Sequence, residues 1–283
     1  MQLFKRRVYA DAAAATPLSS RAHKELKRLL YIYGNPGGLH SEALTSMREM
    51  EAARERVADA LLAHADEIIF TSGGTEGNNM ALGGAVSTLI AHYSKPSVLT
   101  LAIEHPSVLE PLRALAGEGI ISLTELPVQP DGRIDIKVFK EALTPDVALV
   151  SIQLINSEIG TIQDIREIAK TIRHAKQKRF SDLPLYFHTD ASQAPLWLPL
   201  SVEKLGVDLM TLDGQKIMGP KGIGALFVKR GTKLQPVVFG GGQERGLRSG
   251  TQNMPLIGSF AVALEDAQRG AEKRAARVAR VRD

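Results

Sequence analysis

Short apolar runs rich in β-branched residues alternate along the chain with longer segments of helical periodicity. The apolar runs predict strands at 67–72, 97–102, 119–126, 147–154, 184–190, 208–213 and 224–229. Helical patterns fall between many of them, at 41–63, 76–92, 106–116, 135–143 and 163–178, and a last long helix follows Pro255. Because near-continuous apolar strands alternate with helices, the pattern predicts an α/β fold whose sheet is covered on both faces.

The segments that follow the predicted strands are the first places to look for a site, since ligands of open α/β sheets bind beyond the carboxyl ends of the strands. The first such segment, SGGTEGNN at 72–79, is a glycine-rich turn that opens a helix. Its glycines allow close backbone approach, the free N–H groups of a helix start favour a phosphate, and Thr75 adds a hydroxyl. The alternative is a plain loop with a helix N-cap.

Two more strand ends carry ionisable side chains. His105 lies between a strand and a helix, where it could transfer protons or stack on a planar ligand; the alternative is a half-solvated histidine at a helix start. Asp190 ends a buried strand, so its charge requires a cationic partner, such as a protonated pyridine nitrogen or an arginine, or else a run of backbone N–H donors. Gln193 is within reach of the same space.

A lysine follows the next strand, in the stretch DGQKIMGPKGIG at 213–224. Lys216 could be an amine nucleophile that forms a Schiff base with a carbonyl compound, or an ordinary surface lysine. Lys221 is its nearest competitor but falls in a Gly-Pro-Lys-Gly turn. Further on, the glycine-rich loop 240–253 suits anion binding through Thr251, Arg245 or Arg248, or is simply a flexible surface loop.

One ligand accounts for all of these features together. A phosphate cup, a stacking ring, an acid for a ring nitrogen and a Schiff-base lysine are what pyridoxal 5'-phosphate requires. This conjunction on an α/β chain is far more specific than any of its parts.

Composition excludes several other classes of function. The 283 residues carry a net charge of only +4, which does not imply a nucleic-acid partner. No run approaches the roughly 18 apolar residues of a membrane span, and the start of the chain lacks the apolar core of a signal peptide, so we expect a cytoplasmic protein. The absence of cysteine excludes disulfides, thiolate metal sites and an internal cysteine nucleophile, and no metal site is predicted.

Several motifs together resemble a known family. They are VYADAAAATP, GNPGGLHSEA, IIFTSGGTEGNNMAL, EHPSVL, NSEIG, HTDASQ, DGQKIMGPKGIGALFV and GGGQERGLRSGTQN. Over about residues 8 to 255 they resemble the cysteine desulfurases, in the class V aminotransferase group of fold-type I pyridoxal-phosphate enzymes, and most closely the branch that serves iron–sulfur cluster assembly. The resemblance implies a three-layer α/β/α large domain with a mainly parallel mixed sheet.

The resemblance also implies a role for each strand-end residue. Lys216 corresponds to the lysine that binds the cofactor, and His105 to the histidine that stacks on its ring and acts as acid and base. Asp190 corresponds to the partner of the pyridine nitrogen, and Gln193 to the donor near the phenolic oxygen.

The phosphate end of the cofactor corresponds to a separate group of residues. Gly74 and Thr75 correspond to the phosphate cup. Thr251 falls where the family donates to the phosphate from the other subunit of a homodimer, which implies an active site shared between two chains.

Three cofactor-binding positions depart from the family pattern. Gln215 replaces a histidine, and its amide still offers one hydrogen bond to the phosphate. Asp213 replaces a serine; because a carboxylate beside a phosphate is unfavourable, we expect it to turn away or to meet an arginine. Ser157 replaces an asparagine, for which Asn156 or a water could compensate.

The resemblance predicts an arm at 1–18, a cofactor-binding domain at 19–255 and a linking helix at 256–283 toward a small domain that the chain lacks. The persulfide-forming cysteine of the family lies in that small domain. The implied reaction removes sulfur from L-cysteine, gives alanine, and passes the sulfur to an acceptor or scaffold protein. The alternatives are another class V reaction, such as transamination or selenocysteine cleavage, and a non-catalytic half of a split enzyme.

Overall fold

A seven-stranded sheet organises the chain in the computed structural model, which describes residues 8–178 and 184–282. Its strands are β1 (Ile68–Thr71), β2 (Ser97–Leu101), β3 (Ser122–Leu126), β4 (Val147–Ser151), β5 (Tyr186–Asp190), β6 (Leu209–Asp213) and β7 (Gly224–Val228). They lie in the order β1-β7-β6-β5-β4-β2-β3, and β7 is antiparallel to both of its neighbours. The other pairs are parallel, which confirms a mainly parallel mixed sheet.

The described residues also form eight α-helices. These are α1 (Ser20–Leu29), α2 (Ser41–Leu61), α3 (Gly74–Leu89), α4 (Pro106–Gly117), α5 (Ile136–Ala142), α6 (Ile165–Lys178), α7 (Val202–Leu205) and α8 (Met254–Arg282). The predicted helices are confirmed, whereas α1 and the single turn α7 were not predicted. For α1 a signal was present, because Ser19 caps the helix by accepting a hydrogen bond from the Ala22 amide. Among the described residues, no helix is long and apolar enough to cross a membrane.

Two hydrophobic clusters cover the two faces of the sheet, which confirms the three-layer architecture. The alternation of strand side chains sends Ile68 and Phe70 into one cluster and Ile69 into the other. The first cluster includes residues of α1, α2, α5, α6 and α8, and the second includes residues of α3 and α4. The predicted boundaries of the arm and of the linking helix remain predictions, and residues 1–7 and 283 of those segments lie outside the described residues.

The pairing of β7 brings two distant strand ends together. Gly224, the first residue of β7, is in register with Thr71 at the end of β1 and with Asp213 at the end of β6. A Cβ atom on Gly224 would lie 2.4 Å from the Leu212 carbonyl oxygen and 2.8 Å from the Gly73 Cα, so only glycine fits there. This close packing sets the first turn of α3 beside the end of β6.

A buried ion pair fastens the loop before α8 to the rest of the fold. The Arg54 guanidinium donates to both carboxylate oxygens of Glu244, at 2.7 and 2.8 Å, and the Phe70 amide donates to the same carboxylate. Burial alone would raise the pKa of Glu244, but the hydrogen bonds and the charge of Arg54 outweigh it and hold that pKa below its usual value.

Removing one charge of this pair is expected to destabilise the fold. In Glu244→Gln the buried Arg54 cation loses its buried counter-ion and keeps only the more exposed Glu51, so the free energy of unfolding should fall by about 3 kcal/mol, measured by urea denaturation. The matched control is Glu125→Gln, which breaks the solvent-exposed pair with Arg113 and should leave the unfolding midpoint unchanged. Equal effects of the two variants would contradict this view of the buried pair.

Candidate active site

A cavity of about 370 Å³ lies at the carboxyl edge of the sheet. The predicted site residues that line it are Gly74, Thr75, His105, Ser157, Asp190, Gln193, Asp213, Gln215 and Lys216. Strand ends that are far apart in sequence therefore meet at one place, as expected for an open α/β sheet. The remaining predicted residue, Thr251, is exposed and is not part of this lining.

Asp190 forms the buried floor of the cavity. One of its oxygens, Oδ2, accepts a hydrogen bond from the Asn78 amide at 2.7 Å, and Oδ1 accepts one from the Ser192 backbone at 2.9 Å. Asn78 also donates to the Ser107 hydroxyl at 2.9 Å. Asn78 is not among the predicted site residues, although its position four residues after Gly74 places it one helical turn further along the same face of α3.

Two buried ionisable groups near Asp190 favour their neutral forms. Burial, reinforced by the charge of Asp190, raises the pKa of Glu104 well above its usual value, although the Gln153 backbone amide hydrogen bond opposes the shift. Burial also lowers the pKa of His188 to about 4, against the attraction of Asp190. His188 is held on both sides, by the Ser151 hydroxyl at 2.8 Å and the Thr211 hydroxyl at 3.1 Å.

His105 stands at the mouth of the cavity with its ring exposed. It is the N-cap of α4, and its Nδ1 accepts a hydrogen bond from the Ser107 backbone amide at 3.1 Å. This contact fixes Nδ1 as an acceptor, so the neutral ring carries its proton on Nε2. The geometry leaves the imidazole positioned for proton exchange at the cavity.

Lys216 is carried by the short 3-10 helix Gly214–Lys216 that follows β6. Its ammonium group donates to the carbonyl oxygens of Ala13 and Ala14 in the N-terminal segment, at 2.8 and 2.7 Å. The Gln193 amide donates to the same Ala13 carbonyl at 2.9 Å. These contacts could not be predicted, because backbone carbonyls some 200 residues away leave no local pattern in the sequence.

The end of the cavity predicted to bind a phosphate lies at the start of α3. Gly73 provides no side-chain cap, and the Ser192 hydroxyl beside this turn is buried without a hydrogen-bond partner among the described residues. The Gly74 amide, however, donates to Asp213 Oδ2 at 3.1 Å. The expectation that Asp213 turns away or meets an arginine is therefore wrong. Its carboxylate sits in the cup, and the Gln215 side-chain amide contacts it at 3.4 Å.

Ser157 lines the cavity, and its hydroxyl donates to the Glu158 carboxylate at 3.3 Å. The expectation that Asn156 could compensate for it is wrong. The Asn156 side chain accepts hydrogen bonds from the Glu158 and Ile159 amides and donates to the Ile103 carbonyl, so it is committed to the local backbone.

The glycine-rich loop 240–253 contributes no cavity-lining residue among those described. Arg248 pairs with Glu76 through an N–O distance of 2.7 Å, and Arg245 donates to the Ala65 carbonyl. The predicted anion donors of this loop are thus engaged elsewhere within the chain or, for Thr251, exposed to solvent.

Comparison with known proteins places the sequence and the fold in one class. Residues 8–280 match the Aminotransferase class-V family. A solved structure of a NifS-like protein superimposes with a TM-score of 0.88 at 36% identity, covering 94% of this chain and 71% of that one. A structure of SspA in complex with cysteine gives a TM-score of 0.84 at 36% identity, covering 92% and 72%.

Curated relatives narrow the class further. The cysteine desulfurase IscS of Dictyoglomus turgidum is 41% identical over 99% of this chain and 68% of its own length. The human cysteine desulfurase is 41% identical over 94% of this chain but only 57% of its own length, so this chain spans little more than half of some relatives. The chain belongs to the class-V aminotransferase family, in the branch of the cysteine desulfurases.

Members of this family depend on pyridoxal phosphate, and most of the cavity fits that group. Asp190 offers a buried acceptor, Lys216 an amine and His105 a ring, all on one cavity. At the other end, the Ser192 hydroxyl, which has no partner among the described residues, and the positive end of the α3 dipole suit a phosphate, whereas the Asp213 carboxylate on the Gly74 amide does not.

The lowered pKa of His188 gives a pH dependence of stability. Between pH 6.5, the ordinary pKa of histidine, and about pH 4, the His188 ring is protonated in the unfolded chain but neutral in the folded chain. Because the unfolded state binds more protons, the free energy of unfolding should fall as the pH is lowered through this range. His188→Gln should remove this part of the slope in denaturation curves measured at several pH values. An NMR titration in which the His188 ring protonates near 6.5 would contradict the assignment.

Proposed function

We propose that this chain is the cofactor-binding large domain of a pyridoxal-phosphate-dependent cysteine desulfurase. The observation that carries the proposal is the convergence of Lys216, His105 and Asp190 on one cavity, each from a different strand end. Relatives at 41% identity that bear the name cysteine desulfurase support it.

Each of these residues has a different role, which follows from its place in the cavity. When bound, pyridoxal phosphate supplies an electron sink for the carbon next to the substrate's amino group. Asp190, which accepts hydrogen bonds from Asn78 and from the Ser192 amide, would orient the cofactor ring and keep a proton on the ring nitrogen. Lys216 would hold the cofactor and offer its amine for proton transfer at the substrate, and His105 would exchange protons at the cavity mouth.

The proposed overall reaction is L-cysteine plus an acceptor thiol giving L-alanine plus a persulfide. The carbon–sulfur bond of cysteine breaks, the carbon takes up a proton, and the sulfur joins the acceptor sulfur. Because the chain contains no cysteine, the acceptor thiol comes from outside these 283 residues. The persulfide would then supply sulfur for iron–sulfur clusters or thio-cofactors, through an acceptor or scaffold protein.

We also propose that the chain works as a homodimer in the cytoplasm, with Thr251 reaching the phosphate end of the partner's site. Strongly exposed apolar side chains support the dimer, among them Tyr31 at 86% and Phe239 at 81% relative exposure. The lack of cysteine, and so of disulfides, is compatible with a reducing compartment.

A second candidate is a cofactor-binding half of a split enzyme that does not itself turn over cysteine. Two observations favour it. The chain has no sulfur acceptor, and the Lys216 amine is held by the carbonyl oxygens of Ala13 and Ala14.

The roles can be tested with lysine variants at saturating cofactor, L-cysteine and an added dithiol. The wild-type chain should show the visible absorbance band of bound cofactor and form alanine. Lys216→Ala should lose the band and at least roughly 10²–10⁴-fold in alanine formation, the usual effect of one proton-transfer group. Lys221→Ala is the matched control, because that lysine lies outside the cavity, and it should behave as wild type.

The other outcomes separate the candidates. A band that depends on Lys216 without any alanine would favour the non-catalytic half. A band that persists in Lys216→Ala, or that is lost equally in Lys221→Ala, would contradict the proposed role of Lys216.

A further inference from the structure

We propose that Asp213 sets the specificity of the cofactor pocket, by weakening binding of the phosphorylated form of the cofactor while leaving binding of its unphosphorylated form unchanged. This inference rests on the proposed function, since Asp213 and Lys216 line the same cavity. Asp213, the last residue of β6, would then decide which form of the cofactor binds.

The first step is the position of the carboxylate at the start of α3. The Gly74 amide belongs to the first turn of a 16-residue helix, where the aligned peptide dipoles favour an anion. Asp213 Oδ2 already accepts the hydrogen bond of that amide at 3.1 Å. An incoming phosphate would have to share or displace this contact.

The second step is charge. None of the ion pairs within the described parts of the chain includes Asp213. The Lys216 ammonium, three residues further on, donates instead to backbone carbonyl oxygens. Among the side chains that the structure describes, the only donor on the carboxylate is the neutral amide of Gln215. A phosphate monoester therefore meets a carboxylate of the same sign in a mostly buried site, where like charges repel strongly.

The third step is that the cup itself is built to receive a group. Ser192 is only 8% exposed, and its hydroxyl has no partner within the described residues. A Cβ atom built on Gly74 would lie 2.9 Å from that hydroxyl and 3.2 Å from Asp213 Oδ2. The three groups thus surround one small space, in which Ser192 is a neutral donor and Asp213 a charged acceptor.

At the ring end of the pocket, away from the phosphate, no described residue places a negative charge against a like charge of the cofactor. Both oxygens of the Asp190 carboxylate accept hydrogen bonds, one from Asn78 and one from the Ser192 backbone amide. At the other end, a ligand that keeps the ring and replaces the phosphate by a hydroxyl can donate to the Asp213 carboxylate. The penalty is therefore specific to the phosphate group.

Asparagine and serine are the informative substitutions. Asp213 also caps the 3-10 helix of Lys216, since its Oδ1 accepts from the Gln215 amide at 3.0 Å. Asn and Ser cap helices about as well as Asp, so both variants keep the helix while removing the charge. Asparagine removes the charge but keeps the shape of the side chain, whereas serine removes the charge and also opens space. Comparing the two variants therefore shows which part of an effect is due to the charge alone.

The test compares pyridoxamine phosphate with pyridoxamine, which differ only in the phosphate and form no bond to Lys216. Binding is measured by equilibrium dialysis on the full chain. In Asp213→Asn and Asp213→Ser we expect pyridoxamine phosphate to bind at least about tenfold more tightly than in wild type, equivalent to about 1.4 kcal/mol. The affinity for pyridoxamine should change by less than about twofold.

The inference is overturned if the ratio of the affinity for pyridoxamine phosphate to that for pyridoxamine is the same in wild type and in both variants. Asp213 would then act only as a helix cap. The proposed function is judged separately, by the absorbance band of pyridoxal phosphate. If the ratio shifts as expected but no variant shows a band that Lys216→Ala removes, the inference stands and the proposed function fails. If that band appears and the ratio stays constant, only the inference fails.

Discussion

The site depends on how closely the first turn of α3 packs against the ends of β6 and β7. Glycine makes this possible at two points: a Cβ on Gly224 would strike the Leu212 carbonyl, and one on Gly77 would lie 2.7 Å from the Thr211 side chain. With that packing in place, the Gly74 amide at the start of α3 donates to Asp213, and Asn78 reaches Asp190. A larger residue at either glycine would push the start of α3 away from the strand ends that carry Asp190 and Asp213.

Most of the fold could be predicted because its signals are local. Buried strands read as continuous apolar runs, and the residues just after them inevitably gather at one edge of a parallel sheet. For this reason the sequence alone is enough to single out Lys216, His105 and Asp190 as residues of one site. Helix α1 was not predicted, although Ser19 is a helix-capping residue directly before it.

What could not be predicted are contacts whose partners carry no local pattern. The Ala13 and Ala14 carbonyls on Lys216 come from a segment some 200 residues away. The contact of Asp213 with Gly74 depends on the antiparallel placement of β7, which sequence periodicity does not give. Unpartnered groups such as the Ser192 hydroxyl are likewise visible only in three dimensions.

The central claim is that Lys216, and no other lysine, is the residue to which the cofactor attaches. Borohydride reduction of the chain incubated with pyridoxal phosphate, followed by peptide mass spectrometry, tests it most directly. We predict one phosphopyridoxyl group, located on Lys216. A label on Lys221 or on another lysine, or no label on Lys216, would contradict the account.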